Sequence, residues 1–249
     1  PGVGENLQDH MQVRSVYKTN RPVTLNDEVN NPLRKMLIGI EYMLFRTGPM
    51  AMAASHVSLF TKIALEAASP DIQFHFQPLS AEGPGQGLHR FSAFTSSITQ
   101  LRPESCGHLH IKSPRATDHP AIHPNYLSAA RDQEVTVAAL KFSRQICQQA
   151  PLSNSIASEF MPGPDIRSDD DFLQYARDVG ETIYHPVGTC KMGSDDTAVV
   201  DARLRVHGVR GLRVVDASIM PTIISGNTNA PAIMIGEKGA DMILEDAQV

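Results

Sequence analysis

The residues best suited to chemistry lie in YHPVGTCKMG, residues 184–193. His185 stands between Tyr184 and Pro186, and Gly188, Thr189 and Cys190 follow. Imidazole is the side chain whose ordinary pKa lies nearest neutrality, so it suits the movement of a proton at physiological pH. Proline stiffens the backbone on one side and glycine permits an irregular turn on the other. Such a setting can aim His185 in one fixed direction. The same residues also fit a plain structural turn, and both readings stay open at this level.

A second stretch, VVDASIMPTIISGNTNAP, covers residues 214–231. An apolar run at 212–215 ends in Asp216-Ala217-Ser218 and a loop with Pro221, Ser225 and Gly226 follows. Asn227-Thr228-Asn229 then opens a predicted helix with Pro231 in its first turn, where a missing N–H costs nothing. The unsatisfied N–H groups and partial positive charge of a helix start favour an electron-rich ligand. On the wheel, Ala232, Gly236, Gly239, Ala240 and Ile243 form a small-residue face, and Glu237, Lys238, Asp241 and Glu245 form a wet one. Taken alone, Asp216 reads as a turn or cap residue and Asn227 as part of a cap.

These residues need elements to hold them. Residues 1–35, rich in Gly, Asn, Asp and Pro, read as connecting backbone. Leu33, Met36, Leu37, Ile40, Met43 and Leu44 recur at three and four, which predicts a helix over 32–45 that stops at Thr47-Gly48-Pro49. Residues 50–61, small and apolar, suit the lining of a channel or core packing, with Met50 and Met52 assigned to the core. DIQFHFQ, 71–77, alternates as a half-buried strand, and 81–88 is a loop by composition. Residues 91–101 and 108–112 read as strands, and Pro120 and Pro124 keep 119–127 extended. Helices are predicted over 132–150, with Val135, Ala138, Ala139, Phe142 and Ile146 on one side, and over 168–178, with Ser168 as N-cap. Strands at 204–207 and 212–215 precede the final helix from about Ala230. The class is α+β.

Composition narrows the function. The 249 residues allow one large or two small domains, and 41% hydrophobic with 20% charged residues suits a globular core. A net charge of −5 with no Lys/Arg-rich block argues against nucleic acid as a partner. The longest apolar runs, 50–54 and 230–235, are too short to span a bilayer. Cys106, Cys147 and Cys190 form no C-x-x-C pair, so a reducing, cytoplasmic setting without disulfide framework or zinc site is expected. The histidine pair His108 and His110 lacks an evident third ligand, so no metal is assigned. The chain starts on PGVGENLQDH without Met or a secretory n-region, which reads as a piece of a longer protein.

Two glycine clusters fail as nucleotide loops. Gly2-x-Gly4 is followed by Leu7 where a dinucleotide fingerprint needs a small residue, and GPGQG at 83–87 has the wrong spacing. The phosphate loop of any nucleotide cofactor must therefore come from outside these residues.

PGVGENLQDH, PDIQFHF, LRPESCGHLHIKS, HPAIHPNYLS, YHPVGTCKMG, VVDARLRVHGVRGLRVVDASIMP and SGNTNAPAIMIGEKGADMI occur in that order from end to end. Together they resemble the consecutive signatures of the glucose–methanol–choline (GMC) oxidoreductases, nearest the bacterial choline-dehydrogenase-like alcohol dehydrogenases. The resemblance covers the family's C-terminal half and implies FAD as cofactor, with the glycine-rich loop of the Rossmann-like domain supplied by an N-terminal half. It implies three segments: 1–11 beside the FAD domain, 12–179 as an antiparallel-sheet substrate domain flanked by helices, and 180–249 as the C-terminal part of the FAD-binding domain. His185 matches the family's catalytic histidine, and Asn227 the His-or-Asn position paired with it across the flavin. Asp216 and Ala217 match residues near the ribityl and diphosphate, and Thr228 and Asn229 residues facing the pyrimidine ring. Cys106 departs from a common Arg and Gly239 from a common Ala.

The implied reaction oxidises a primary alcohol to an aldehyde. His185 takes the hydroxyl proton, Asn227 donates a second hydrogen bond, and the hydride goes to the flavin. The implied partners are a small alcohol, an electron acceptor such as a quinone or respiratory-chain component, and the N-terminal half. The implied location is the cytoplasm, or the periphery of the inner membrane. With no Trp and five Tyr, an aromatic cage for a quaternary ammonium has little material, which favours an uncharged alcohol over choline. Two alternatives are an oxidase of the same family and a non-catalytic truncated chain serving as a binding or scaffold module. His75, His108 and His110 read as sheet residues, and His10 is a lesser candidate for a place near the cofactor.

Overall fold

A computed structural model describes residues 1–247 except 65 and 84. Residue 84 of the loop predicted for 81–88 and residues 248–249 of the last predicted segment thus lie outside the described residues. In chain order the elements are β1 (Met11–Thr19), α1 (Leu25–Val29), α2 (Pro32–Phe45), β2 (Val57–Thr61), β3 (Ile72–Gln77), β4 (Ala93–Gln100), β5 (His108–His110), β6 (Ala121–His123), α3 (Ala130–Cys147), β7 (Ile156–Met161), α4 (Asp169–Val179), β8 (Glu181–Thr182) and α5 (Asn229–Ala247). The fold is mixed, with helices and antiparallel strands. The chain divides into two compact units, one of residues 1–11, 100–133 and 182–249, the other of 12–99 and 134–181. Compared with the expected segment 12–179, residues 100–133 group with the histidine-bearing unit and the later limit falls after 181.

The unit of 12–99 and 134–181 is built on a sheet in the order β2-β3-β4-β1-β7, with β8 on β1. β1 runs antiparallel to β4 with Val13 opposite Ile98 and Val16 opposite Thr95, and antiparallel to β7. β1 and β7 were not expected. The Gly/Asn-rich surroundings and interleaved Arg14 and Lys18 hide the strand, which β4 and β7 flank on both sides. β3 is not half-buried as its pattern suggests: Ile72, Gln73, Phe74 and His75 are all buried, because the strand lies inside the sheet between β2 and β4. Phe74 meets Phe142 of α3 with ring centroids 5.9 Å apart, and the Ser96 and Ser143 hydroxyls are hydrogen-bonded at 2.8 Å. Those contacts close a core of Val13, Ile72, Phe74, Ile98 and Leu140.

α4 starts on the expected cap. Ser168 Oγ accepts from Asp171 N at 3.1 Å, and Asp171 Oδ2 accepts from Ser168 N at 2.9 Å, a reciprocal capping box. α2 also forms where its period predicts, with Asn31 Oδ1 accepting from Leu33 N and Arg34 N. Its apolar stripe of Leu33, Met36, Leu37, Ile40, Met43 and Leu44 is exposed, however, and none of its residues is buried. Met50 and Met52 are exposed as well, so the core role assigned to them does not hold within these residues.

The other unit has a smaller core of Val187, Val199, Val200, Leu204, Ile219, Met220, Ile223 and Ile235. The strands expected at 204–207 and 212–215 do not develop ladders. They make only isolated pairings, Val200 with Val206 and Arg205 with Arg213, because no neighbouring strand extends them. α5 turns only part of the face drawn on the wheel inward: Gly239 is buried and Ala232 and Gly236 are half-buried. Ile235 and Gly239 are buried and Met242 packs on the core, while Ala240 and Ile243 are exposed. Gly239 permits this approach: a Cβ there would meet Val215 Cγ1 at 2.2 Å. Ile233, Met234, Ile243 and Leu244 leave an apolar outer face on α5.

Candidate active site

Two signatures far apart in sequence run side by side. Gln8 N donates to Val187 O at 3.0 Å, Val187 N returns a bond to Gln8 O at 2.8 Å, and Ile183 N donates to His10 O at 3.0 Å. Gly4 N donates to Thr189 O at 2.8 Å at the far end. PGVGENLQDH and YHPVGTCKMG are therefore two halves of one structural piece. Gly188 is obligatory in it: its φ is +92°, and a Cβ would meet Asn6 O at 2.2 Å. Tyr184 adopts φ 63°, a left-handed conformation costly for an aromatic residue, and its N–H is held by Thr182 Oγ1 at 2.8 Å. Left-handed residues thus bracket His185 on both sides. They turn the backbone so that His185 is buried while Tyr184 and Pro186 face out.

The imidazole of His185 does not stand alone. Its Nδ1 lies 3.0 Å from Nδ1 of His10, and the two rings are nearly perpendicular at 84°. His10 is fully buried, and its Nε2 lies 3.2 Å from the carbonyl oxygen of Leu101. Asp9 supports the same piece from beside His10. Its Oδ1 accepts from His185 N at 3.0 Å, and its Oδ2 accepts from the Tyr126 hydroxyl. Burial, opposed by the Leu101 carbonyl, lowers the His10 pKa to about 4. Burial also lowers that of His185, against the pull of Asp9. Burial and the Asp9 carboxylate push the Tyr126 phenol up. Both imidazoles are therefore neutral at pH 7, and Tyr126 keeps its proton.

Gln8 ties this piece to the second motif. Its Oε1 accepts from Ile223 N at 3.0 Å, and its Nε2 donates to Pro221 O at 3.0 Å. Cys190 N donates to Ser218 O at 2.9 Å, and Met192 N to Ile219 O at 2.7 Å. The histidine motif and the segment after Asp216 are thus brought together. Asp216 itself is exposed and caps the short turn Ala217–Ile219, with Oδ1 accepting from Ser218 N at 2.8 Å; Ala217 is half-buried. Thr228 is buried and its carbonyl accepts the Ala232 N–H at 3.0 Å, while Asn227 and Asn229 are exposed at the start of α5. The first turn of α5 contains no acidic residue, so its positive end is not neutralised from within the helix.

Sequence reasoning placed His185 at the centre but gave Gln8, Asp9 and Tyr126 no role and His10 only a minor one. Periodicity cannot find them, because they lie in irregular backbone. The available signal was their place inside PGVGENLQDH and HPAIHPNYLS. Cys106, by contrast, is exposed and Asn125 Nδ2 donates to its carbonyl at 3.0 Å, a structural contact. His108, His110 and His123 gather on the β5–β6 ribbon with ring centroids 4.6–4.8 Å apart, and His110 bonds Glu5 at 2.8 Å. Among the described residues no three His, Cys, Asp or Glu side chains are placed to hold a metal ion, and no helix is long and apolar enough to cross a membrane.

The family model described as GMC oxidoreductase matches residues 103–236. Mitochondrial choline dehydrogenase of Mus musculus is 43% identical over 256 residues, covering 100% of this chain and 43% of that protein. Oxygen-dependent choline dehydrogenase of Escherichia coli O45:K1 is 43% identical over 246 residues, covering 98% of this chain and 43% of that protein. The chain thus spans less than half the length of these relatives. Among solved structures, pyridoxine 4-oxidase from Mesorbium loti superposes with a TM-score of 0.77 at 30% identity, covering 97% of this chain and 43% of that one. Formate oxidase of Aspergillus oryzae RIB40 shares the fold with a TM-score of 0.90 at 23% identity, covering 100% and 48%. A match over more than half its length, taking in His185, makes this chain a member of the GMC oxidoreductase family.

Proposed function

We propose that this chain forms the substrate-facing and catalytic part of an enzyme that oxidises a primary alcohol to an aldehyde with FAD. The observation that carries this reading is the neutral, buried His185, held by His10 and Asp9 within the family's signature. A neutral imidazole can accept the hydroxyl proton, and general-base action of this kind is worth about 10²- to 10⁴-fold. Bound flavin supplies the hydride acceptor. Everything else is positioning. Asn227 donates the second hydrogen bond to the substrate oxygen, so that the carbinol hydrogen faces the acceptor. Thr228, Asn229 and the unneutralised first turn of α5 suit the electron-rich pyrimidine end of the ring system. Asp216 and Ala217 would hold the ribityl and diphosphate. The residues present therefore fit the cofactor, with its phosphate loop coming from the rest of the protein.

In this reading the unit of 1–11, 100–133 and 182–249 holds the flavin, and the unit of 12–99 and 134–181 is the substrate domain. The remaining partners are an alcohol, an electron acceptor such as a quinone or respiratory-chain component, and the N-terminal half, in the cytoplasm or at the inner membrane's periphery. A second reading concerns substrate. Aromatic content favours an uncharged alcohol, whereas two relatives at 43% identity are named choline dehydrogenases, which favours choline.

The test is a visible spectrum of the protein with FAD and an N-terminal half from a relative. Flavin absorbance that bleaches anaerobically with a primary alcohol is the expected result, and choline against a neutral alcohol of equal size decides the substrate. Oxygen uptake on re-aeration separates oxidase from dehydrogenase. A flavin-bound protein that no alcohol bleaches overturns the proposal, and a protein that never takes up flavin moves the non-catalytic binding role to first place.

A further inference from the structure

We infer that His10 is a positioning residue that sets the tautomer of His185, leaving Nε2 of His185 as its bare nitrogen. The argument is a proton count along one chain of atoms. The Leu101 carbonyl oxygen can only accept, so the nitrogen 3.2 Å from it, His10 Nε2, carries a proton. A neutral imidazole has one N–H, and His10 is neutral because burial holds its pKa near 4. Its Nδ1 is therefore an acceptor. The nitrogen facing it at 3.0 Å, His185 Nδ1, must then be the donor. His185 is neutral too, so its single proton is on Nδ1, and Nε2 is left with a free lone pair.

A base needs that lone pair on the nitrogen that meets the substrate, and in many enzymes a neighbouring acceptor provides it. Here the acceptor is a second histidine rather than a carboxylate. Asp9, the charged group beside both rings, is engaged by His185 N and by Tyr126 and leaves the imidazole contact to His10. Among the described residues, the other groups facing His10 are backbone carbonyls, of Leu101 and Ile224, which can only accept. The arrangement also has a direction in pH. A doubly protonated His10 donates from both nitrogens, forces His185 to accept at Nδ1, and moves the His185 proton to Nε2, which removes the base.

The tautomer assignment stands on the contact geometry and the burial of both rings; only its catalytic consequence rests on the alcohol-oxidation reading. Long-range ¹H–¹⁵N correlation spectra of the imidazoles at pH 7 read it directly. The expected result is Nδ1–H for His185 and Nε2–H for His10. His10→Asn keeps an acceptor oxygen at the ring position of Nδ1 and should preserve the His185 Nδ1–H form. His10→Phe removes the acceptor and should shift His185 toward Nε2–H, with alcohol-dependent flavin reduction slowed about ten- to a thousandfold by the wrong tautomer. Finding Nε2–H on His185 in the unmodified protein, or no change in His10→Phe, overturns the inference. Correct tautomers with no reduction by alcohol leave it standing and overturn the function instead.

Discussion

His10 and His185 are 175 residues apart in sequence and 3.0 Å apart at their Nδ1 atoms. The contact exists because Gln8 and Val187 exchange backbone hydrogen bonds beside it, which puts the two rings on one side of a short antiparallel piece. A base assembled in this way inherits its properties from both segments, and each can be tested separately.

His185→Ala should lower alcohol-dependent flavin reduction by about 10²- to 10⁴-fold while flavin absorbance is retained. Stopped-flow reduction under anaerobic conditions measures it. A loss under tenfold would assign proton removal to another group.

The acid limb of kcat/KM should lie below pH 6.5. His185 acts as a base only when neutral, so activity is present above its pKa and lost as pH falls through it. Burial lowers that pKa from its ordinary 6.5, which moves the limb to the acid side. A limb above 6.5 in a pH–rate profile would contradict the buried, neutral ring.

His10 should make stability pH-dependent. Its pKa falls from 6.5 unfolded to about 4 folded, so the unfolded chain binds more protons between these values. The contribution is fully present above pH 6.5 and is lost as pH falls toward 4, amounting to about 3 kcal/mol. Urea unfolding from pH 7 to 4 should show a steeper decline than in His10→Asn, by about one proton per molecule. Parallel curves would place the His10 ionisation elsewhere.

Gly188→Ala should destabilise the fold through φ +92° and the clash with Asn6 O. The backbone strain alone is worth about 1–3 kcal/mol. Thermal melts measure the loss, and an unchanged Tm would show that this turn is not held as described.

Asp9→Asn should cost about 1–3 kcal/mol, because His185 N and Tyr126 Oη–H donate to two different oxygens of Asp9 and the amide puts an NH2 in place of one of them. It should slow the reaction as well, since the His185 backbone loses its anchor. Tyr126→Phe should have the smaller effect on rate, because it leaves the bond from His185 N to Asp9 in place.

The sequence by itself determined the elements with strong local signals. α2, α3 and α4 follow their apolar period and caps, β3 and β4 form where strands are read, and His185 stands out through a proline and a glycine set beside a titratable ring. These signals are local because helix and strand periodicity and capping act over a few residues. Tertiary structure decided the rest. β1 becomes a strand through β4 and β7, whereas 204–207 and 212–215 stay without ladders because hydrogen-bonded strands need neighbours. α5 buries Gly239 of its small-residue face together with Ile235 and leaves Ala240 and Ile243 exposed, because only a glycine fits against Val215. His10, Asp9 and Tyr126 acquire their roles only when irregular segments from three parts of the chain meet at His185. Hydrogen bonding over 117 to 176 residues of separation has no period to read. That is why the chemistry was legible in one histidine and its control was not.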